Sequence, residues 1–123
     1  MSTNATELLD LAREILEGRL SPIWARIVPV LARQALEQCL FDYWPRRGFE
    51  GIASTSMRCQ LICLREYGPD PKTAQTAGLV WWTLSRASHH RPYETSPSWE
   101  EIDHWLEQVA AVIGRLDPPE AGR

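Results

Sequence analysis

The sequence has no apolar run long enough to cross a membrane and no stretch that resembles a secretory leader. A bilayer-spanning helix needs about 20 consecutive apolar residues, and no segment approaches that length. The N-terminal stretch MSTNATELLD lacks the basic region and the apolar core of a signal peptide. We therefore predict a cytoplasmic protein that makes no membrane contact.

Lysine is nearly absent as well. Lys72 is the single lysine among 13 basic residues, and the others are arginine. The formal net charge of −3 argues against a dedicated surface for duplex DNA, because such surfaces are strongly basic. A net charge of −3 still allows a local cluster of basic residues that forms a binding site.

The sequence contains three cysteines, Cys39, Cys59 and Cys63. An odd count without a secretory signal does not describe a disulfide framework. Cys59 and Cys63 stand four residues apart, so they either share a metal or act as small apolar core residues, and we favour the core. Metal and cofactor motifs are also missing: Glu101-x-x-His104 occurs once where a carboxylate-bridged metal site needs it twice, and there is no glycine-rich phosphate loop. We expect no cofactor and no metal.

No segment alternates polar and apolar residues long enough to form a strand, and the apolar residues recur at helical spacing instead. We predict an all-α fold, an antiparallel four-helix bundle with an additional short helix or helical turn. A single domain is expected over residues 1–123, with a core at about 5–116 and a tail at 117–123. The predicted long helices run over about 6–17, 29–43, 57–67, 71–90 and 99–116.

Two prolines complicate the second helical pattern. Pro29 lies inside a run that begins at Pro22, so either the helix kinks there or Pro22–Val28 is a separate helical turn. We favour the separate turn, with the main helix over Pro29–Tyr43. The stretch from Pro45 to Ala53 contains two glycines and no period, which predicts a loop.

Chemically distinctive residues concentrate in one segment, from Asp70 to Tyr93. Asp70 and Pro71 are typical of a helix start, and Pro92 cannot continue a helix. Ala77, Val80, Trp81, Leu84 and Ala87 form an apolar face. The far end carries a polar cluster made of Arg86, Ser88, His89, His90, Arg91 and Tyr93.

This cluster contains the residue types that RNA cleavage requires. Attack by a 2′-hydroxyl needs a base, an acid and a cation near the developing phosphate charge. Histidine titrates near neutral pH and arginine binds phosphate through two hydrogen bonds, so Arg86, His90 and Arg91 are suitable. The structural alternative is that the imidazoles cap the helix C-terminus and Arg86 pairs with Glu94. Arg58 lies on a polar side of the third helix, which is one of the sides able to face the central helix, and it is either a structural ion-pair partner or a ligand residue.

The chain resembles small actinobacterial helical proteins of the HEPN superfamily. The resemblance rests on LARQALEQCL, on SMRCQLICL and on WWTLSRASHHRPYE, and it covers roughly residues 5 to 115. Members are four-helix bundles that usually form homodimers, and many are ribonucleases of defence, toxin–antitoxin or RNA-processing systems. The resemblance therefore implies a homodimer with RNA, an antitoxin or a nucleotidyltransferase as partner.

The active family motif is Arg, four to six residues, then His, often with Tyr two residues later. Aligned on Arg86, Tyr93 falls at the Tyr position, whereas position 91 carries Arg91 in place of His. Either His90 serves instead or the site does not cleave.

Three functions follow from these observations. The first is an HEPN-like dimeric module that binds RNA or protein in a defence or toxin–antitoxin system. The second is a metal-independent endoribonuclease with Arg86 and His90 as catalytic residues and with substrate-binding residues Arg91, His89, Tyr93 and Arg58. The third is a purely structural bundle. Six tryptophans are more than a small bundle usually buries, so we predict a homodimer that uses Trp44, Trp82 and Trp99.

Overall fold

The computed structural model describes residues 3–18, 22–89 and 97–117, and all regular structure in these ranges is helical. The chain forms α1 (Thr3–Gly18), α2 (Pro22–Arg46), α3 (Met57–Tyr67), α4 (Pro71–Ser88) and α5 (Trp99–Leu116), with a short 3-10 helix (Glu50–Ser54) before α3. The predicted all-α class is confirmed. None of the described helices has the length and apolar character that a membrane span requires.

Three helices begin at the predicted positions, and each follows a capping residue. The Ser56 side chain accepts a hydrogen bond from the backbone N–H of the third residue of α3, and the Asp70 carboxylate accepts one from Thr73 at 2.7 Å. Ser98 and Glu101 form a reciprocal capping box at the start of α5. These caps satisfy N–H groups that have no partner within the helix, and the predicted starts are confirmed.

The second helix differs from the prediction. It is continuous from Pro22 to Arg46 and passes through Pro29, so the separate turn was wrong. Pro29 removes one backbone hydrogen bond, but Pro29 and Val28 are both buried, and their packing compensates for that loss. The predicted loop was also partly wrong, because Pro45 lies in α2 and the 3-10 helix follows it.

The helices share one apolar core. α2 packs against α1, α4 and α5, and α5 also packs against α1 and α4, whereas α3 packs against α4 and the 3-10 helix. The core contains side chains from all five α-helices, and Phe49 and Ile52 pack against it from the connection after α2. α4 therefore lies between α3 on one side and the helices α2 and α5 on the other.

Two ion pairs define the directions of three helices. At one end of the molecule, the Arg46 Nη1 atom of α2 lies 3.0 Å from the Asp117 Oδ1 atom after α5, so α2 and α5 run in the same direction. The Arg115 Nε atom of α5 donates a 2.9 Å hydrogen bond to the Asp70 Oδ2 atom at the start of α4, so α4 runs opposite to α5. Arg86 therefore lies at the other end of α4, about 24 Å from Asp70 along the helix axis.

The tryptophans divide between core and surface. Trp44 was predicted to lie at the dimer interface, but it is fully buried within one subunit. That prediction was wrong because the indole N–H has a hydrogen-bond partner inside the protein. Trp82 is exposed. Trp99 is half-buried and packs against the core.

Candidate functional site

The predicted cluster is only partly within the described residues. Arg86 occupies the last turn of α4 and is exposed, and His89 is the exposed C-cap residue, whose backbone N–H donates to the Arg86 carbonyl oxygen at 3.2 Å. His90, Arg91, Tyr93 and the candidate partner Glu94 lie outside the described residues. Within the described ranges the Arg86 side chain has no ion pair or hydrogen bond.

Arg58 contacts the central helix, as its position on α3 predicted. Its guanidinium carbon lies 5.8 Å from the centre of the Trp82 ring, which is within the range of a cation–π contact. Along α4, Gln75, Leu79, Trp82 and Arg86 follow one another at steps of four, three and four, so they share one face. The structure thus brings Arg58 and Arg86 to the same face of the molecule.

A groove of about 520 Å³ runs between α3 and α4 on this face. Ile62, Leu79 and Trp82 line it and are 55%, 61% and 52% exposed. Arg58 and Arg65 provide its basic side chains, and none of the described residues that line it is acidic. Three large, solvent-exposed apolar side chains in one groove form the kind of patch that marks a binding surface rather than scattered surface residues.

Trp81 holds one wall of this groove in place. Its Nε1 atom donates a 3.0 Å hydrogen bond to the Glu37 Oε2 atom of α2, and the Arg33 Nε atom lies 3.7 Å from the same oxygen. The Trp81 and Trp82 rings meet edge to face with centroids 5.9 Å apart. Because Trp81 is anchored to α2, the adjacent Trp82 ring has a fixed support on one side.

The charges of the chain are separated by helix. α3 and α4 together carry four basic residues and one acidic residue. α1 and α5 each carry four acidic residues and one basic residue. The groove therefore lies on the basic part of an acidic protein, and this position attracts acidic groups.

The three cysteines differ in burial, and the thiol of Cys63 is not activated. Cys39 is buried, as predicted, whereas Cys59 and Cys63 are only half-buried. Burial raises the pKa of the Cys63 thiol, and the charge and hydrogen bonding of Cys59 raise it further, so this thiol stays protonated at neutral pH. Across the described residues, no three His, Cys, Asp or Glu side chains gather closely enough to hold a metal ion.

Sequence reasoning singled out Trp82 and Arg58 but did not identify Ile62, Leu79 and Arg65 as members of the same groove. One signal was present, because Leu79 and Trp82 lie off the face of α4 defined by Ala77, Val80 and Leu84. The groove itself depends on how α3 rests against α4.

Comparisons with family models, with curated proteins and with solved structures found no match to this chain.

Proposed function

We propose that this chain is an HEPN-like helical interaction domain that works as a homodimer through the groove between α3 and α4. In this proposal α1, α2, α4 and α5 form an antiparallel four-helix bundle, and α3 is the additional helix. The directions of α2, α4 and α5 and the contacts of α3 support this arrangement. A role in a defence or toxin–antitoxin system, with an antitoxin or nucleotidyltransferase as partner, rests on the resemblance of the sequence.

One observation carries the proposal: three of the large apolar side chains that remain exposed, Ile62, Leu79 and Trp82, line a single groove. Covering these apolar side chains with another protein surface is favourable, because it removes their area from water. In a homodimer with two-fold symmetry the same patch of both subunits meets, so the exposed apolar side chains of one copy are covered by those of the other.

Light scattering coupled to gel filtration tests the homodimer. The wild type should have about twice the monomer mass of 14.1 kDa at micromolar concentration. Trp82→Glu and Leu79→Glu should each shift the protein toward the monomer, because each places a charge in the contact. Leu11→Glu is the matched control, since Leu11 is 45% exposed on α1, far from the groove in the sequence and on a different helix. A monomeric wild type contradicts the proposal.

RNA binding on the same face is the second candidate. It is favoured by Arg58, Arg65 and Arg86 beside the exposed Trp82, because single-stranded nucleic acids bind through phosphate contacts and base stacking on aromatic rings. The endoribonuclease with Arg86 and His90 as catalytic residues stays a prediction. Arg91→His tests it: cleavage should rise if the motif has decayed and should stay unchanged if His90 already acts.

A further inference from the structure

The exposed face of α3 carries a symmetric pattern of opposite charges. Arg58, Ile62 and Glu66 are spaced by four residues, so they form one strip along the helix, and all three are exposed. Each charge lies about 6 Å along the axis from Ile62. The strip therefore has a basic end, an apolar centre and an acidic end.

Neither charge is paired by a described neighbour. Among the described residues, no ion pair involves Arg58 or Glu66. The guanidinium carbon of Arg58 lies over the Trp82 ring, 5.8 Å from its centre. The two charges of the strip are themselves eight residues apart, roughly 12 Å along the axis, which is too far for a direct contact within one helix.

We propose that two copies of this chain meet through antiparallel α3 helices, with the two-fold axis beside Ile62 and with Arg58 of each subunit paired to Glu66 of the partner subunit. The proposal rests on the homodimer proposed above and specifies its register. In an antiparallel pair centred on residue 62, residues equally far before and after the centre face each other. Arg58 then faces the partner's Glu66, and the same contact occurs twice.

The alternative orientation is disfavoured by the same charges. In a parallel pair related by a two-fold axis, Arg58 faces the partner's Arg58 and Glu66 faces the partner's Glu66. Like charges in contact are destabilising, and such arrangements select between partners and registers. Arg58 and Glu66 are therefore complementary to their own copies in the antiparallel orientation and repel them in the parallel one.

The remaining surface around Ile62 suits a subunit contact. Cys59 and Cys63 are half-buried on the same helix, and the Cys63 thiol is uncharged because burial and its neighbour Cys59 raise its pKa. Leu79 and Trp82 extend the apolar surface onto α4. The contact thus has an apolar centre with charged side chains toward its edge, which is the usual anatomy of a protein interface.

A charge exchange tests the register. Arg58→Glu and Glu66→Arg should each raise the dimer dissociation constant by about tenfold or more, because each brings like charges together at two symmetric places. The double variant Arg58→Glu/Glu66→Arg should return the dissociation constant to within about threefold of the wild type, since both pairs are rebuilt in reverse. Arg13→Glu, which changes the net charge of the protein by the same amount as Arg58→Glu but at an exposed position of α1, should leave the constant unchanged. Sedimentation equilibrium measures all four variants.

A disulfide at the axis gives an independent measurement. In a Cys59→Ser/Cys63→Ser background, Ile62→Cys should form a subunit-linking disulfide under mild oxidation, because the two copies of residue 62 face each other. Leu11→Cys in the same background should not. The register is overturned if the wild type is a dimer but the double variant dimerises as weakly as the single variants. It is also overturned if the wild type is a dimer but Ile62→Cys does not crosslink. In both cases the homodimer itself is still supported. A monomeric wild type overturns both and leaves the groove to another occupant, such as RNA or an acidic helix of a different protein.

Discussion

Trp44 and Gln60 form a buried hydrogen bond that joins the end of α2 to α3. The Nε1 atom of Trp44 donates to the Oε1 atom of Gln60 at 3.2 Å. The Nε2 atom of Gln60 in turn donates to the carbonyl oxygens of Thr55 at 2.9 Å and Ala53 at 3.4 Å. A single amide side chain thus satisfies the indole and two carbonyl groups of the connection before α3.

Gln60→Leu should lower the free energy of unfolding by about 1–3 kcal/mol, because the buried Trp44 N–H loses its acceptor. Urea denaturation at one fixed protein concentration measures the change. Gln34→Leu, at an exposed position of α2, is the matched control and should change stability by less than about 0.5 kcal/mol. Equal effects of the two substitutions would contradict the role assigned to Gln60.

Gly68 ends α3 at a place where a side chain does not fit. Its backbone N–H donates to the Leu64 carbonyl oxygen at 2.9 Å, and a Cβ atom there would overlap that oxygen and lie 2.9 Å from the Leu64 Cδ1 atom. We expect Gly68→Ala to destabilise the protein by about 1–3 kcal/mol. Gly114→Ala, in open space on α5, should instead stabilise it by roughly 0.5–1 kcal/mol. Thermal unfolding that shows the same sign for both would be inconsistent with this packing.

Asp70 should make stability depend on acid pH. Hydrogen bonds from the Thr73 backbone N–H and hydroxyl, and then from Arg115, lower the pKa of its carboxyl group below the ordinary value, against a smaller opposing effect of burial. The pKa in the unfolded chain is about 3.9, so the charged form is favoured by folding. Its contribution is fully present above that pH and is lost as the pH falls through the lower pKa of the folded protein.

Comparison of the wild type with Asp70→Asn isolates this effect, because asparagine keeps the helix cap without the charge. The difference in urea midpoint should be largest near neutral pH and should disappear in strong acid. Arg115→Gln should remove a smaller part of the pH dependence, since Thr73 contributes more than Arg115. A difference that stays constant between pH 2 and pH 7 would refute the assignment.

Arg86 should matter more than His89 for RNA binding. Arg86 shares a face with Trp82 and the groove, whereas His89 is the C-cap residue beyond the helix. Arg86→Ala should weaken binding of single-stranded RNA by about tenfold, as expected for one charge-assisted phosphate contact, and His89→Ala should weaken it less. Fluorescence anisotropy at one stated salt concentration measures both.

Arg86→Lys is the control for this comparison. Lysine keeps the charge but loses the planar two-pronged contact, so its affinity should lie between those of the wild type and Arg86→Ala. Wild-type affinity in Arg86→Ala, with the fold intact by circular dichroism, would place any RNA site elsewhere.

The sequence by itself determined the fold class and most helix boundaries. Ser56, Asp70 and Ser98 mark helix starts because a cap acts on N–H groups only two or three residues away. The period of the apolar residues likewise identifies α4 and α5, since it reflects a local geometry of 3.6 residues per turn. The placement of Arg86 near the end of the central helix followed from the same local signals.

The tertiary structure alone decided where long-range packing outweighs local preference. Pro29 was a plausible boundary by local rules, yet burial of its surroundings keeps α2 continuous. The number of tryptophans predicted Trp44 at an interface, but Gln60, 16 residues further along, accepts its hydrogen bond inside the protein. The groove arises because Leu79 and Trp82 of α4 meet Ile62 of α3. Apolar burial and hydrogen bonding depend on which groups become neighbours in space, and no local pattern of the sequence contains that information.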